Sequence, residues 1–93
     1  FISFNQAYYE MILSVMDRNN IRGFTYWDEV QGRGSKNGEP HYGTHAWPSM
    51  NASILAIVDD AQVAPLMDAF RELDAATKMQ GSRAFVWNVE SGF

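Results

Sequence analysis

Twenty residues near the middle of the chain, from Gly32 to Asn51, hold four glycines, two prolines, both histidines and one of the three tryptophans. Glycine and proline at this density break helices and interrupt strands, so the chain must fold as two regular halves joined by a long loop, residues 32–50. Loops this long within a compact domain are uncommon, and those that occur are usually functional or disordered. Aromatic and imidazole groups, which a disordered linker mostly lacks, mark this one as functional. It is the first place to look for a binding site.

Each half reads as strand, helix, strand. Residues 1–4 alternate as a short strand, and Asn5 is suited to cap the helix that follows. Over residues 6–18 the apolar side chains Tyr8, Met11, Ile12, Val15 and Met16 recur at i, i+3, i+4, i+7 and i+8, one buried stripe of an amphipathic helix. Asn19 and Asn20 end it, since asparagine tolerates the left-handed conformation common just past a helix. Residues 21–31 are aromatic and β-branched and read as a strand, with Phe24, Tyr26 and Val30 on one face and Thr25, Trp27 and Glu29 on the other. Asp28 then falls on the apolar face, which predicts a bulge or an exposed strand end.

After the loop, residues 50–58 form a strand that becomes apolar on both faces, as a central or interface strand does. Asp59 with Gln62 fits a capping box. Pro65 is expected to delay the regular helix until about Ala64, because proline is tolerated only in the first turn. Its buried stripe is Val63, Leu66, Met67, Phe70 and Leu73, with Arg71, Glu72 and Asp74 outside. Residues 77–82 are a polar connection. Residues 84–90 close as a strand with Phe85, Trp87 and Val89 on one face.

With right-handed crossovers in both halves, βαββαβ gives an α+β, ferredoxin-like split βαβ fold: a four-stranded antiparallel sheet with two helices on one face. The other face then needs cover. Trp27 and Trp87 are candidates for it, which predicts oligomerisation through the sheets.

Ninety-three residues make one domain, 1–93, with a modest core and no cysteine to brace it. The net charge of −4 and the scattering of seven Lys and Arg leave no basic patch for nucleic acid. No apolar run approaches the ~20 residues that span a membrane, and no signal peptide is present in these residues. The expected compartment is cytoplasmic. Phe1-Ile2-Ser3-Phe4 lacks an initiating Met and a polar lead-in, so residues upstream are expected.

Four groups of side chains could carry chemistry. Gly32-Arg33-Gly34 is either an ordinary turn or a backbone that approaches a ligand, for which glycine is suited by its freedom at positive φ. His41 and His45 lie four apart in the loop, with Glu39 and Asp28 as oxygen donors. Imidazole with carboxylate suits zinc, copper or nickel, although two histidines alone are an incomplete ligand set. Trp47 and Pro48 read as packing and stiffening the return to the sheet. For catalysis there is no nucleophile in an elbow and no base with an orienting partner, so an enzyme is not expected.

Several stretches resemble the nitrogen-regulatory PII (P-II) family and its PII-like relatives. Ile21-Arg-Gly-Phe-Thr and Glu29-Val30-Gln31-Gly32-Arg33-Gly34 resemble the family's strand running into its Gly-x-Gly turn. Ile57-Val58-Asp59-Asp60 resembles its strand-to-helix junction, and Arg83-Ala84-Phe85-Val86 with Val89-Glu90 its final strand. The resemblance implies a homotrimeric signal-transduction protein that binds a small effector, typically ATP or ADP, in clefts between subunits. Through its central loop such a protein regulates a partner, often a transporter or a metabolic enzyme. Carried over, Gly32, Arg33 and Gly34 form the turn against an adenine nucleotide, and Lys78 and Arg83 stand where the family's basic turn meets phosphate. That turn, Thr-Gly-x-x-Gly-Asp-Gly-Lys in the family, is here Thr77-Lys78-Met79-Gln80-Gly81-Ser82-Arg83. The context of the family's modifiable tyrosine is missing around Tyr42, so modification is not implied. The alternative is a metal-binding module like the related CutA-type trimers, for metal tolerance or sensing, in which His41 and His45 hold a divalent transition metal.

Overall fold

The computed structural model of the protein describes residues 1–32, 50–77 and 82–93. The strand β1 (Ile2–Asn5) buries Ile2 and Phe4 and leaves Ser3 and Asn5 half-buried, the period-two alternation of a strand with one core face. The Asn5 Oδ1 accepts the Ala7 N–H at 2.9 Å. That cap starts a tight 3-10 turn, Gln6–Tyr8, which runs straight into α1 (Tyr9–Arg18). The helix is therefore present where the apolar spacing puts it, with its first turn wound tighter.

In α1 the residues Ile12, Val15 and Met16 are buried, and Tyr8 packs against the core from the turn before it. Met11 departs from the expected stripe and is 46% exposed. It lies about 100° around the helix from Ile12, at the margin of a stripe that the sheet does not reach. The helix ends as expected at Asn20, which adopts a φ of 60°. The Ile21 N–H donates to Met16 O at 2.9 Å and the Asn20 N–H to Asp17 O at 3.1 Å. These are the paired bonds of a Schellman end, and Ile21 joins Met16 in the core as that motif requires.

Closing the helix this way takes Ile21 out of the next strand. β2 (Thr25–Val30) is shorter than residues 21–31, and Phe24 is left exposed rather than on an apolar strand face. Within β2 the register against the neighbouring strand shifts between Trp27 and Val30, the bulge that the position of Asp28 implied. β3 (Asn51–Leu55) buries its first four residues, as a central strand does, and ends three residues before the expected Val58.

α2 (Asp60–Thr77) opens on a capping box in which the Asp59 N–H donates to Gln62 Oε1 at 2.9 Å. It begins at Asp60 and not near Ala64, with Pro65 inside the helix. In the second turn proline forfeits one backbone hydrogen bond, and the cap and the packed stripe hold the first turn despite it. Leu66 is buried, with Val63, Met67, Phe70 and Leu73 half-buried on the same side, while Arg71, Glu72 and Asp74 face out. Gln62 also donates from Nε2 to Asn19 O and Asn20 O at 3.5 and 3.4 Å, joining the start of α2 to the end of α1.

β4 (Arg83–Ala84) is far shorter than residues 84–90. It pairs with β1 through Ile2–Ala84 and Ser3–Arg83, and the Phe85 N–H donates to Phe1 O at 2.9 Å. Residues 86–93 continue without a ladder among the described residues. The strands stand in the order β2-β3-β1-β4, with every neighbouring pair antiparallel. The core is one cluster between Ile2, Phe4, Ala52 and Ile54 of the sheet and Ile12, Val15, Met16 and Leu66 of the helices. This is the ferredoxin-like split βαβ arrangement, both helices on one face.

Candidate functional site

Gly32 lies just past β2 and Met50 just before β3, and the described residues there are closely packed. Gly32 sits against the side chain of Asn51, the first residue of β3. A Cβ at Gly32 would overlap the Asn51 amide and would lie 3.3 Å from its Cγ. Asn51 is itself buried. A side chain at position 32 would meet this chain's own asparagine, a contact the sequence reading, which weighed a turn against a ligand, did not name.

The bulge beside it is bonded from two sides. Tyr26 stacks on Tyr9 of α1 with ring centroids 4.3 Å apart. Its hydroxyl donates to Asp28 Oδ1 at 2.9 Å. From the other side Gln6 Nε2 donates to Asp28 O at 2.8 Å, with Asp28 Oδ1 at 3.4 Å. Burial pushes the Tyr26 hydroxyl up to about 12, and its hydrogen bond to Asp28 and the charge there push the same way. Tyr26 therefore stays a neutral donor throughout the physiological range. Asp28, considered above as a metal donor, carries hydrogen bonds from these two partners. Gln6 escaped the sequence reading altogether, because its role depends on pairing across three strands and its only local signal is adjacency to the Asn5 cap.

Arg83 stands on the other edge. Register links Trp27, Ser53, Ser3 and Arg83 in one row across all four strands. Tyr26 faces the helices through its stack on Tyr9, so its neighbour Trp27 and the rest of that row face away from them. The Arg83 Nη1 donates to Ser82 O at 2.6 Å, and the guanidinium is exposed. The Ser82 hydroxyl oxygen is buried without a hydrogen-bond partner. Gly32 and Arg83 occupy opposite edge strands and different rows of the sheet, so three strand spacings of ~4.8 Å and several residues along the strands put them more than about 14 Å apart. A single chain does not bring them onto one small ligand.

Arg33, Gly34, His41, His45 and Lys78 lie outside the described residues, as do Glu39, Tyr42 and Trp47. Among the described residues no group of three or more His, Asp or Glu is placed to hold a metal ion. No helix among them is long and apolar enough to cross a membrane.

At the far end of the sheet, where Ile2, Ile54 and Ala84 pair, a groove of about 600 Å³ opens between α2 and the chain after β4. Phe1, Leu66, Phe70, Phe85 and Trp87 line it, with Asp60 at its margin. The alternating apolar residues of 84–90 were its signal in the sequence, where they read as a strand.

Among solved structures, the chain is similar to CPII, a nitrogen regulatory PII-like protein from Thiomonas intermedia K12, bound to ADP, AMP and bicarbonate. The TM-score is 0.67 at 25% identity, over 81% of this chain and 71% of that one. CPII bound to ADP and bicarbonate matches at TM-score 0.66, again with 25% identity and the same coverage. CPII bound to ADP, AMP and acetate matches at TM-score 0.59 and 21% identity, over 88% of this chain and 76% of that one, a likeness of fold. In fold the chain resembles these PII-like structures. No protein-family model matches it, and no curated protein matches it by sequence.

Proposed function

We propose that this PII-like chain is a regulatory protein that binds an adenine nucleotide between subunits and regulates a partner protein through residues 32–50. The observation that carries the reading is the likeness to CPII structures holding ADP and AMP. The placement of Gly32 and Arg83 supports it. They lie on opposite edge strands, and a second copy of the chain would bring the Gly32 edge of one subunit to the Arg83 edge of another. In the homotrimer so formed, Gly32, Arg33 and Gly34 would approach the nucleotide through their backbone, and Lys78 and Arg83 would meet its phosphates. Loop states that contact the bound nucleotide differently would be populated differently when it binds, and the partner would read that difference.

Thermal unfolding with ADP, AMP and ATP, with and without bicarbonate, tests this. A ligand at 100 times its Kd adds ~2.7 kcal/mol to a folded state it alone recognises. We expect ADP to raise the melting temperature, Arg83→Glu to abolish that rise, and Gly34→Phe to abolish it while the assembly stays intact. A wild-type melting temperature indifferent to every adenine nucleotide would falsify the reading.

A further inference from the structure

Arg22, Gly23 and Phe24 stand between two fixed points. Ile21 turns into the core at the end of α1, and Thr25 begins β2 by pairing with Leu55. The three residues between them belong to no helix or strand and are exposed. Nothing lies within 4 Å of the place a Cβ on Gly23 would occupy. Phe24 is 38% exposed, and Arg22 makes no ion pair among the described residues. An aromatic ring and a guanidinium are the groups that most often anchor an interface, and a segment fixed at both ends loses little freedom on docking.

The groove beside α2 has the complementary character. Buried Ile2, Met16, Ile54 and Leu66 reach its floor, while Phe85 and Trp87 line it as exposed residues. Asp60 is the one charged side chain among the described residues that line it, and it makes no ion pair among them. At about 600 Å³ the groove is of the size that holds a ligand or a few side chains. An apolar cleft with one carboxylate at its margin suits an aromatic side chain that has a cation beside it.

Both features lie at the same end of the sheet. Thr25 pairs with Leu55, and Phe85 bonds to Phe1 one step past the Ile2–Ile54 and Ile2–Ala84 pairs. They belong to opposite edges, since the strands run β2-β3-β1-β4. Three strand spacings of ~4.8 Å separate those edges, farther than a phenylalanine side chain spans. The chain's own Phe24 therefore does not fill its groove. A second copy placed head to tail brings one there, because such a contact sets one edge of each subunit against the other edge of the next.

We propose that the groove receives Arg22, Gly23 and Phe24 of a second copy of this chain, the Phe24 ring entering between Phe70 and Trp87 and the Arg22 guanidinium meeting Asp60. The inference rests on the edge-to-edge assembly proposed above and names the contact that holds it.

The chain has no cysteine, so introduced ones are the only targets for a thiol cross-linker. Gly23→Cys and Asn88→Cys leave the four anchoring residues in place, and the space around Gly23 admits the new side chain. Treated with a short bis-maleimide, the double variant should give covalent oligomers on a denaturing gel, and each single variant should run as one chain. Equal linkage in a single variant, or none in the double, overturns the proposal. Charge reversal is the second measurement. Arg22→Asp and Asp60→Arg should each weaken self-association about tenfold, followed by light scattering on dilution. The double reversal should recover the wild-type value to within about threefold, because the charges again oppose. Losses that the double variant does not recover show that the two side chains do not meet, and overturn the proposal. Wild-type assembly that survives every one of these changes leaves the groove to another occupant and overturns it too, while the rise in melting temperature with ADP judges the proposed function separately. A wild type that stays monomeric overturns both the contact and the assembly it rests on.

Discussion

The contact between Gly32 and Asn51 shows how one residue can read as functional and be structural as well. A glycine beside a ligand and a glycine beside a buried side chain look alike in a sequence, since both need the space a Cβ would fill. Here the Asn51 amide fills it. Gly32→Ala should therefore cost about 1–3 kcal/mol, the range for overpacking a well-filled site. In an Asn51→Ala background the same substitution should cost much less, and a double-mutant cycle by denaturant unfolding measures the difference. Additive costs would show that the asparagine is not what excludes the methyl group. Tyr26 carries a second residue-scale prediction. Its folded-state value of about 12 lies above the ordinary 10.0, so its contribution to stability is complete below pH 10. It is lost as pH climbs through 10 toward 12. Tyr26→Phe should flatten the fall in stability over that window, followed as unfolding midpoint against pH. A slope identical to the wild type would mean the hydroxyl is not held as the geometry implies.

At the scale of elements, ends proved more constraining than middles. The apolar spacing of α1 located the helix, but the Schellman end at Asn20 decided that Ile21 turns inward and that β2 starts at Thr25. The start of α2 is tied to that same end through Gln62, which accepts from Asp59 N–H and donates to Asn19 O and Asn20 O. Gln62→Ala removes a cap and an interhelical tie together. It should lower stability by about 1–2 kcal/mol, a cap substitution at its usual magnitude, read from the shift in the denaturant midpoint at constant slope. No shift would mean the Asp60 end of the helix is held by packing alone. Pro65 shows the limit of reading helices from breakers. The rule that proline belongs in the first turn describes its cost, and a cost can be outweighed by a cap on one side and Leu66 packing on the other.

At the scale of the whole molecule, apolar surface stands open near the end of the described residues. Trp87 is 61% exposed, with Phe85, Val86 and Val89 similarly open beside a groove that α2 only half closes. Apolar surface gathered this way usually marks an interface. Under the trimeric reading, light scattering should give three times the chain mass for the wild type. Trp87→Ser combined with Val89→Ser should shift it toward monomer and weaken ADP binding in step. A wild type that stays monomeric at high concentration would remove the intersubunit cleft. His41 and His45 belong to this scale too, because a metal shared between subunits needs ligands from more than one chain. A Zn²⁺-induced rise in melting temperature lost in the His41→Ala, His45→Ala double variant is the signature that reading requires.

The order of elements, most of the α1 stripe and the Asn5 and Asp59 caps were legible in the sequence, and the bulge at Asp28 and the central position of β3 were each one of two readings it offered. Each depends on residues within a few positions of one another, where spacing and side-chain chemistry act directly. The resemblance to PII-like proteins was legible for the same reason, in short words at strand ends. Strand lengths were not, because a strand extends only as far as its neighbour pairs with it: β4 pairs with β1 for two residues among those described. Nor was the role of Gln6, whose bonds reach Met50 and Asp28 across three strands. Long-range register decides which distant polar groups meet, and register is a property of the packed sheet, where burial of one face selects a single pairing from the many that local spacing allows.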